Sequence, residues 1–175
     1  NSYALITGAS SGIGLEIARN LASKGFNLVI TARREERLKK ISNEISDEFN
    51  VHVDFIAVDL SHIDAPSNIF TFCSEKNYKV EVLINNAGYG IKTPFHETSM
   101  EDEENFIRVL GTSVIALTKI FLPSMIKENK GKIMIVSSVA SFSPPSSIQA
   151  LYGPIKTFMN RFSDSININY NHKGI

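Results

Sequence analysis

The chain has 175 residues, 43% hydrophobic and 21% charged, and its 18 basic and 18 acidic side chains cancel. That length suits one globular domain with a sizeable core, and neutrality argues against a nucleic-acid partner, which needs a local excess of Lys and Arg. No apolar run approaches the roughly eighteen residues of a membrane span, no leader opens the chain, and the lone Cys73 cannot close an internal disulfide, so a soluble cytoplasmic domain is expected.

Strand and helix patterns alternate along the chain. Tyr3 to Thr7 is a short apolar strand that breaks at Gly8-Ala9-Ser10-Ser11-Gly12. Ile13 to Lys24 has helical spacing, with Gly25 as its stop. Asn27 to Thr31 predicts a second strand, and Glu35 to Phe49 a charged helix with the stripe Leu38, Ile41, Ile45 and Phe49. Val51 to Val58 is β-branched and predicts a third strand. After turn signals at Asp64-Ala65-Pro66, Ser67 to Glu75 predicts a short helix.

Val80 to Ile84 is a fourth apolar run, ended by Asn85-Asn86-Ala87-Gly88. One long helix is expected from about Asp102 to Lys127, bent or ended near Pro123. Lys132 to Val136 is a fifth strand, followed by a Ser- and Pro-rich loop from Ser137 to Ser147 and a helix from Tyr152 to about Asn171. Five apolar runs separated by helices predict a doubly wound α/β domain with a parallel sheet, which binds ligands beyond the carboxyl ends of its strands.

The first turn, Gly8-x3-Gly12-x-Gly14, follows a strand and opens a helix. Glycines there let backbone approach a pyrophosphate, whose charge the helix N-terminus attracts through free N–H groups. The same glycines also suit a tight strand-to-helix turn with no ligand. About twenty residues on, the end of the second strand meets the adenosine ribose in this fold: a carboxylate there selects NAD, an Arg selects NADP. The segment is Ile30-Thr31-Ala32-Arg33-Arg34, so the sequence favours NADP (NADPH). Asp59, ending the third strand, would lie beside the adenine.

Tyr152 and Lys156 stand at i and i+4 and share a helix face. A free Tyr, with a pKa of about 10, is a poor acid or base at neutral pH, and a nearby ammonium favours the phenolate. Ser137 and Ser138, at the end of the fifth strand, would project into the same crevice, where a hydroxyl can hold a carbonyl oxygen.

In order and along nearly its whole length, the chain resembles the short-chain dehydrogenases/reductases. Gly8, Ser10, Ser11, Gly12, Ile13 and Gly14 match that family's cofactor turn. Asp59 matches its adenine contact and Asn85-Asn86-Ala87-Gly88 its fourth-strand signature, and Arg33, Arg34 and Leu60 join the expected cofactor site. Ser138, Tyr152 and Lys156 match its catalytic set. The resemblance implies a Rossmann-type domain that transfers a hydride between nicotinamide and a small carbonyl or alcohol substrate. Tyr152 is then the proton donor or acceptor, Ser138 polarises the substrate oxygen, and Lys156 holds the nicotinamide ribose and lowers the tyrosine pKa. A homodimer or homotetramer is implied as well.

Three departures accompany the resemblance. Arg108 stands where the family carries an Asn in the long helix. The interval from Ser138 to Tyr152 is one residue longer than usual, which leaves Ser137 and Ser138 both eligible. The chain also ends at Ile175, where a sixth strand is expected, so residues 1–175 read as a single NAD(P)-binding domain that is C-terminally incomplete and lacks its last strands. Tyr89, Phe95 and the Phe142 to Ile148 loop are the expected partial walls of an apolar substrate pocket. The alternative reading is a nucleotide-binding pseudoenzyme with a regulatory or interaction role. A serine hydrolase lacks a linked base, since His52, His62, His96 and His172 form no motif with Ser138, and no metal-ligand spacing is present.

Overall fold

Alternation of apolar side chains within each strand requires cover on both sides of the sheet. Along β1 (Ser2–Thr7), Tyr3 and Leu5 face one core cluster while Ala4 and Ile6 face the other. A computed structural model describes residues 2–145 and 150–175. The end of the Ser137 to Ser147 loop, and the part of the Phe142 to Ile148 wall beyond residue 145, lie outside the described residues.

β1 leads into α1 (Gly12–Ser23), β2 (Asn27–Ala32), α2 (Glu35–Phe49), β3 (Val53–Ala57), α3 (Ala65–Glu75) and β4 (Lys79–Asn85). Next come α4 (Met100–Ile107), α5 (Ser113–Glu128), β5 (Lys132–Ile135) and α6 (Tyr152–Tyr170). The five strands pair in parallel in the order β3-β2-β1-β4-β5. Chain order reverses between β1 and β4, so the crevice of this doubly wound sheet opens above Thr7 and Asn85. α1 and α2 cover one face, with Ala18, Ala22, Leu38, Ile41 and Ile45 buried there. Side chains of α3 to α6, among them Ile69, Phe106, Leu117, Phe121 and Ile155, cover the other.

The predicted elements differ from these in instructive places. α3 begins at Ala65 because Pro66, read as a turn signal, sits in its first turn, where a missing N–H costs no helical bond. The single long helix is α4 and α5 joined by a π-helical turn, Arg108–Thr112, and it runs on past Pro123 to Glu128. That 29-residue stretch, Met100–Glu128, is long and apolar enough to cross a bilayer by length and composition, which corrects the expectation that no stretch reached that size. Its stripe of Phe106, Leu110, Leu117, Phe121 and Met125 is instead buried against the sheet.

Candidate active site

The turn after β1 takes its shape from two left-handed glycines, Gly8 at φ 69° and Gly12 at φ 57°. The Gly8 and Ala9 N–H groups donate to Thr31 O at 2.8 and 3.2 Å, which ties the turn to the end of β2. β4 braces it from the other side. Asn86 Nδ2 donates to Thr7 O at 3.0 Å and to Gly8 O at 3.2 Å, and the Asn86 and Ala87 N–H groups donate to Thr7 Oγ1, each at 3.0 Å. A Cβ on Gly14 would collide with Gly8 O and Asn86 Nδ2, so this glycine is required by close packing.

Two adjoining hollows open above this turn. One, of about 410 Å³, brings Gly8, Ser10 and Ser11 together with Arg33, Arg34, Asp59 and Leu60, and reaches Ala87 and Gly88. The other, of about 500 Å³, shares Gly8, Ser11, Ala87 and Gly88 and adds Ile13, Asn86, Ser137, Tyr152 and Lys156. Their shared lining makes them one groove across the strand ends. Gly12 and Gly14 shape the turn without lining either hollow.

Electrostatics differ along the groove. At one end Arg34 Nη2 donates to Ser10 Oγ at 2.9 Å and to Ser11 Oγ at 3.4 Å, and Arg37 Nε donates to Ser10 O at 3.3 Å. Burial alone would raise the Asp59 carboxyl, but hydrogen bonds from Ser61 and the Arg33 charge hold it below its ordinary value. Tyr89 spans both hollows and packs edge-on against Phe106 at 5.3 Å, which in turn lies 6.4 Å from the Tyr152 ring.

At the other end, Tyr152 is the first residue of α6 and Lys156 lies one turn on. Lys156 is 7% exposed; its Nζ donates to Val136 O at 2.7 Å and stands 5.7 Å from the centre of the Tyr152 ring. Burial lowers its pKa. The two eligible serines have different surroundings. Ser137 lines the hollow with Tyr152 and Lys156 and donates to Lys156 O at a long 3.5 Å. Ser138 Oγ accepts from Ala140 N–H at 3.2 Å and so caps the short turn Val139–Ser141.

Sequence reasoning missed several neighbours. Thr31, Val58, Asn105 and Val109 line the groove, and the side chain nearest Gly88 is Leu110, since a Cβ there would sit 3.6 Å from Leu110 Cγ. Arg108 lines neither hollow; the π turn directs Val109 and Leu110 to the strand ends instead. Glu103 is buried on the same helix face as Phe106, accepts from Thr98 Oγ1, and shares a small cavity with Phe95 and Tyr152. Its position in an apolar stripe was the only available signal. Beyond Tyr152 an apolar trough of about 530 Å³ runs along Val139, Pro144, Pro145 and Pro154. Among the described residues no group of His, Cys, Asp or Glu is arranged to hold a metal ion.

The buried lysine makes a pH prediction. Its folded pKa lies below its unfolded one, so the unfolded chain binds more protons between the two values and stability rises with pH across that window. Below it the burial penalty is constant. In urea unfolding from neutral pH to about pH 10.4, the free lysine value, the stability of the native protein relative to Lys156→Met should show this rise. The comparison cancels the opposite slope from the buried Cys73 thiol, which burial pushes up to about 12.

A family model described as short chain dehydrogenase matches residues 2–175. The very-long-chain 3-oxoacyl-CoA reductase of Rattus norvegicus is 34% identical over 177 residues, covering 99% of this chain and 56% of that protein. The chain therefore spans just over half the length of the curated relatives it matches. Among solved structures, the bulky-bulky ketone specific alcohol dehydrogenase from Comamonas testosteroni superposes with a TM-score of 0.92 at 32% identity, covering 99% of this chain and 69% of that one. A short-chain dehydrogenase from Sphingobium yanoikuyae, solved in complex with NADPH, also gives a TM-score of 0.92, at 29% identity and 99% and 67% coverage. With the fold, the glycine turn and the Tyr152–Lys156 face in one groove, the chain belongs to the short-chain dehydrogenase family.

Proposed function

We propose that this chain carries the dinucleotide site and catalytic face of an NADPH-dependent oxidoreductase acting on a carbonyl or alcohol. The observation that carries this reading is the single groove that joins the glycine turn to Tyr152 and Lys156. The donor set fits the cofactor. Thr31 Oγ1 is a buried hydroxyl on the groove wall with no hydrogen-bond partner among the described residues, and three arginines gather at the Ser10–Ser11 end. When bound, the nicotinamide ring supplies the hydride.

In the reductive direction Tyr152 donates its phenolic proton to the substrate oxygen, and oxidation reverses that transfer. The Lys156 ammonium, held by Val136 O beside the ring, stabilises the phenolate left behind. A serine hydroxyl orients the carbonyl. The family resemblance assigns this to Ser138, while the lining of the groove favours Ser137. The apolar trough along Val139, Pro144, Pro145 and Pro154 favours a hydrophobic ketone. The proposal extends to a cytoplasmic, self-associating protein, whose apolar hollow between Ile107, Ile115, Pro154 and Phe158 receives a second copy.

NADPH oxidation with hydrophobic ketones, including 3-oxoacyl thioesters, tests the reading alongside direct cofactor binding. Tighter binding of NADPH than NADH, with ketone turnover, is expected. Removing the orienting serine should lower turnover by about tenfold to a hundredfold, in whichever of Ser137→Ala and Ser138→Ala carries the role. NADPH binding with no turnover of any carbonyl would instead identify a nucleotide-binding protein without catalysis.

A further inference from the structure

Ser10 sits at the meeting point of two arginines. It is 6% exposed, its hydroxyl oxygen accepts from Arg34 Nη2 at 2.9 Å, and its carbonyl oxygen accepts from Arg37 Nε at 3.3 Å. Arg37 lies in the first turn of α2, three residues after Arg34 of the arginine pair legible from the sequence. Among the described residues none of Arg33, Arg34 and Arg37 forms an ion pair with a carboxylate. Glu35 and Glu36 in the same turn complement the helix dipole, but Arg34 and Arg37 converge on Ser10 with no carboxylate partner, an arrangement to which a dianionic phosphate adds the missing charge-assisted hydrogen bonds.

The pyrophosphate cradle has its own supports. Thr31 O holds the Gly8 and Ala9 N–H groups, and Asn86 holds the Thr7 and Gly8 carbonyls. Neither support involves Arg37. What Arg37 holds is the next peptide group, and through it the orientation of the Ser10 hydroxyl and its partner Arg34.

We propose that Arg37 is a positioning residue for cofactor selection, which fixes Ser10 so that Ser10, Ser11 and Arg34 converge on the 2′-phosphate of NADPH. This rests on the NADPH reading of the groove. It separates two tasks within one turn: Asn86 and Thr31 shape the part common to both dinucleotides, and Arg37 shapes the part that distinguishes them.

The test is calorimetric titration of the purified chain with NADPH, NADH and 2′,5′-ADP, with a thermal melt of each variant. Arg37→Gln is expected to weaken NADPH and 2′,5′-ADP by about tenfold, the scale of one charge-assisted hydrogen bond, while NADH binding stays within about twofold. Arg37→Lys, which keeps a cationic donor, should recover most of the loss. Equal weakening of NADPH and NADH would overturn the proposal, because Arg37 would then support the whole turn without selecting. Unchanged binding of all three ligands at an unchanged melting temperature would overturn it too. A native chain that binds NADH as tightly as NADPH sinks the phosphate reading itself, an outcome read before any variant is made.

Discussion

Tyr152→Phe is expected to lower ketone turnover by about a thousandfold while leaving NADPH affinity and thermal stability unchanged. General acid catalysis by a positioned side chain contributes about 10²- to 10⁴-fold, and this substitution removes only the proton carrier. The ring keeps its contact with Phe106, and the next turn of α6 stays anchored where Ile155 packs against Gly111. No hydrogen bond from the hydroxyl to the fold is lost among the described residues, so stability has no reason to fall. Turnover at saturating NADPH, measured beside a binding titration, separates the two effects. Residual turnover within about tenfold of the native protein would mean that the proton comes from elsewhere.

Gly14→Ala is expected to destabilise the fold by about 3 kcal/mol, at the upper end of the overpacking range, and to abolish measurable NADPH binding. The new methyl group meets Gly8 O, a backbone atom in a turn held on both sides by Thr31 and Asn86, so neither partner can retreat cheaply. Gly12→Ala makes the informative contrast. Nothing lies within 4 Å of a Cβ at Gly12, and only its left-handed φ of 57° is penalised, at about 1 kcal/mol. Urea unfolding of the two variants should therefore differ by about 2 kcal/mol, although both replace a glycine of the same motif. Equal losses would mean that conformation alone, and not close packing, dictates glycine at residue 14.

Much of the architecture was legible because it is written in short-range spacing. Leu38, Ile41 and Ile45 fall on one side of α2, and all three are buried as that period requires. The same logic put Tyr152 and Lys156 on one face, and both line the groove. Helix limits were less legible. Pro66 reads as a breaker in isolation yet occupies a first turn, and the π turn at Arg108–Thr112 leaves no trace in a 3.6-residue period. Arg108, matched to the family's Asn by resemblance, lines neither hollow, whereas Val109 and Leu110 reach the strand ends.

The sequence by itself determined the order of strands and helices, the glycine turn, the basic end of β2 and the Tyr–Lys pair. Each depends on residues within one or two turns of each other, whose relative placement local geometry dictates. Only the tertiary structure decided which serine faces Lys156, which helix residue approaches Gly88, and that Arg37 reaches Ser10. Those contacts join residues 19, 22 and 27 positions apart across separate elements. Their distances depend on how strands register and helices pack against the sheet, and no periodicity along the chain records that.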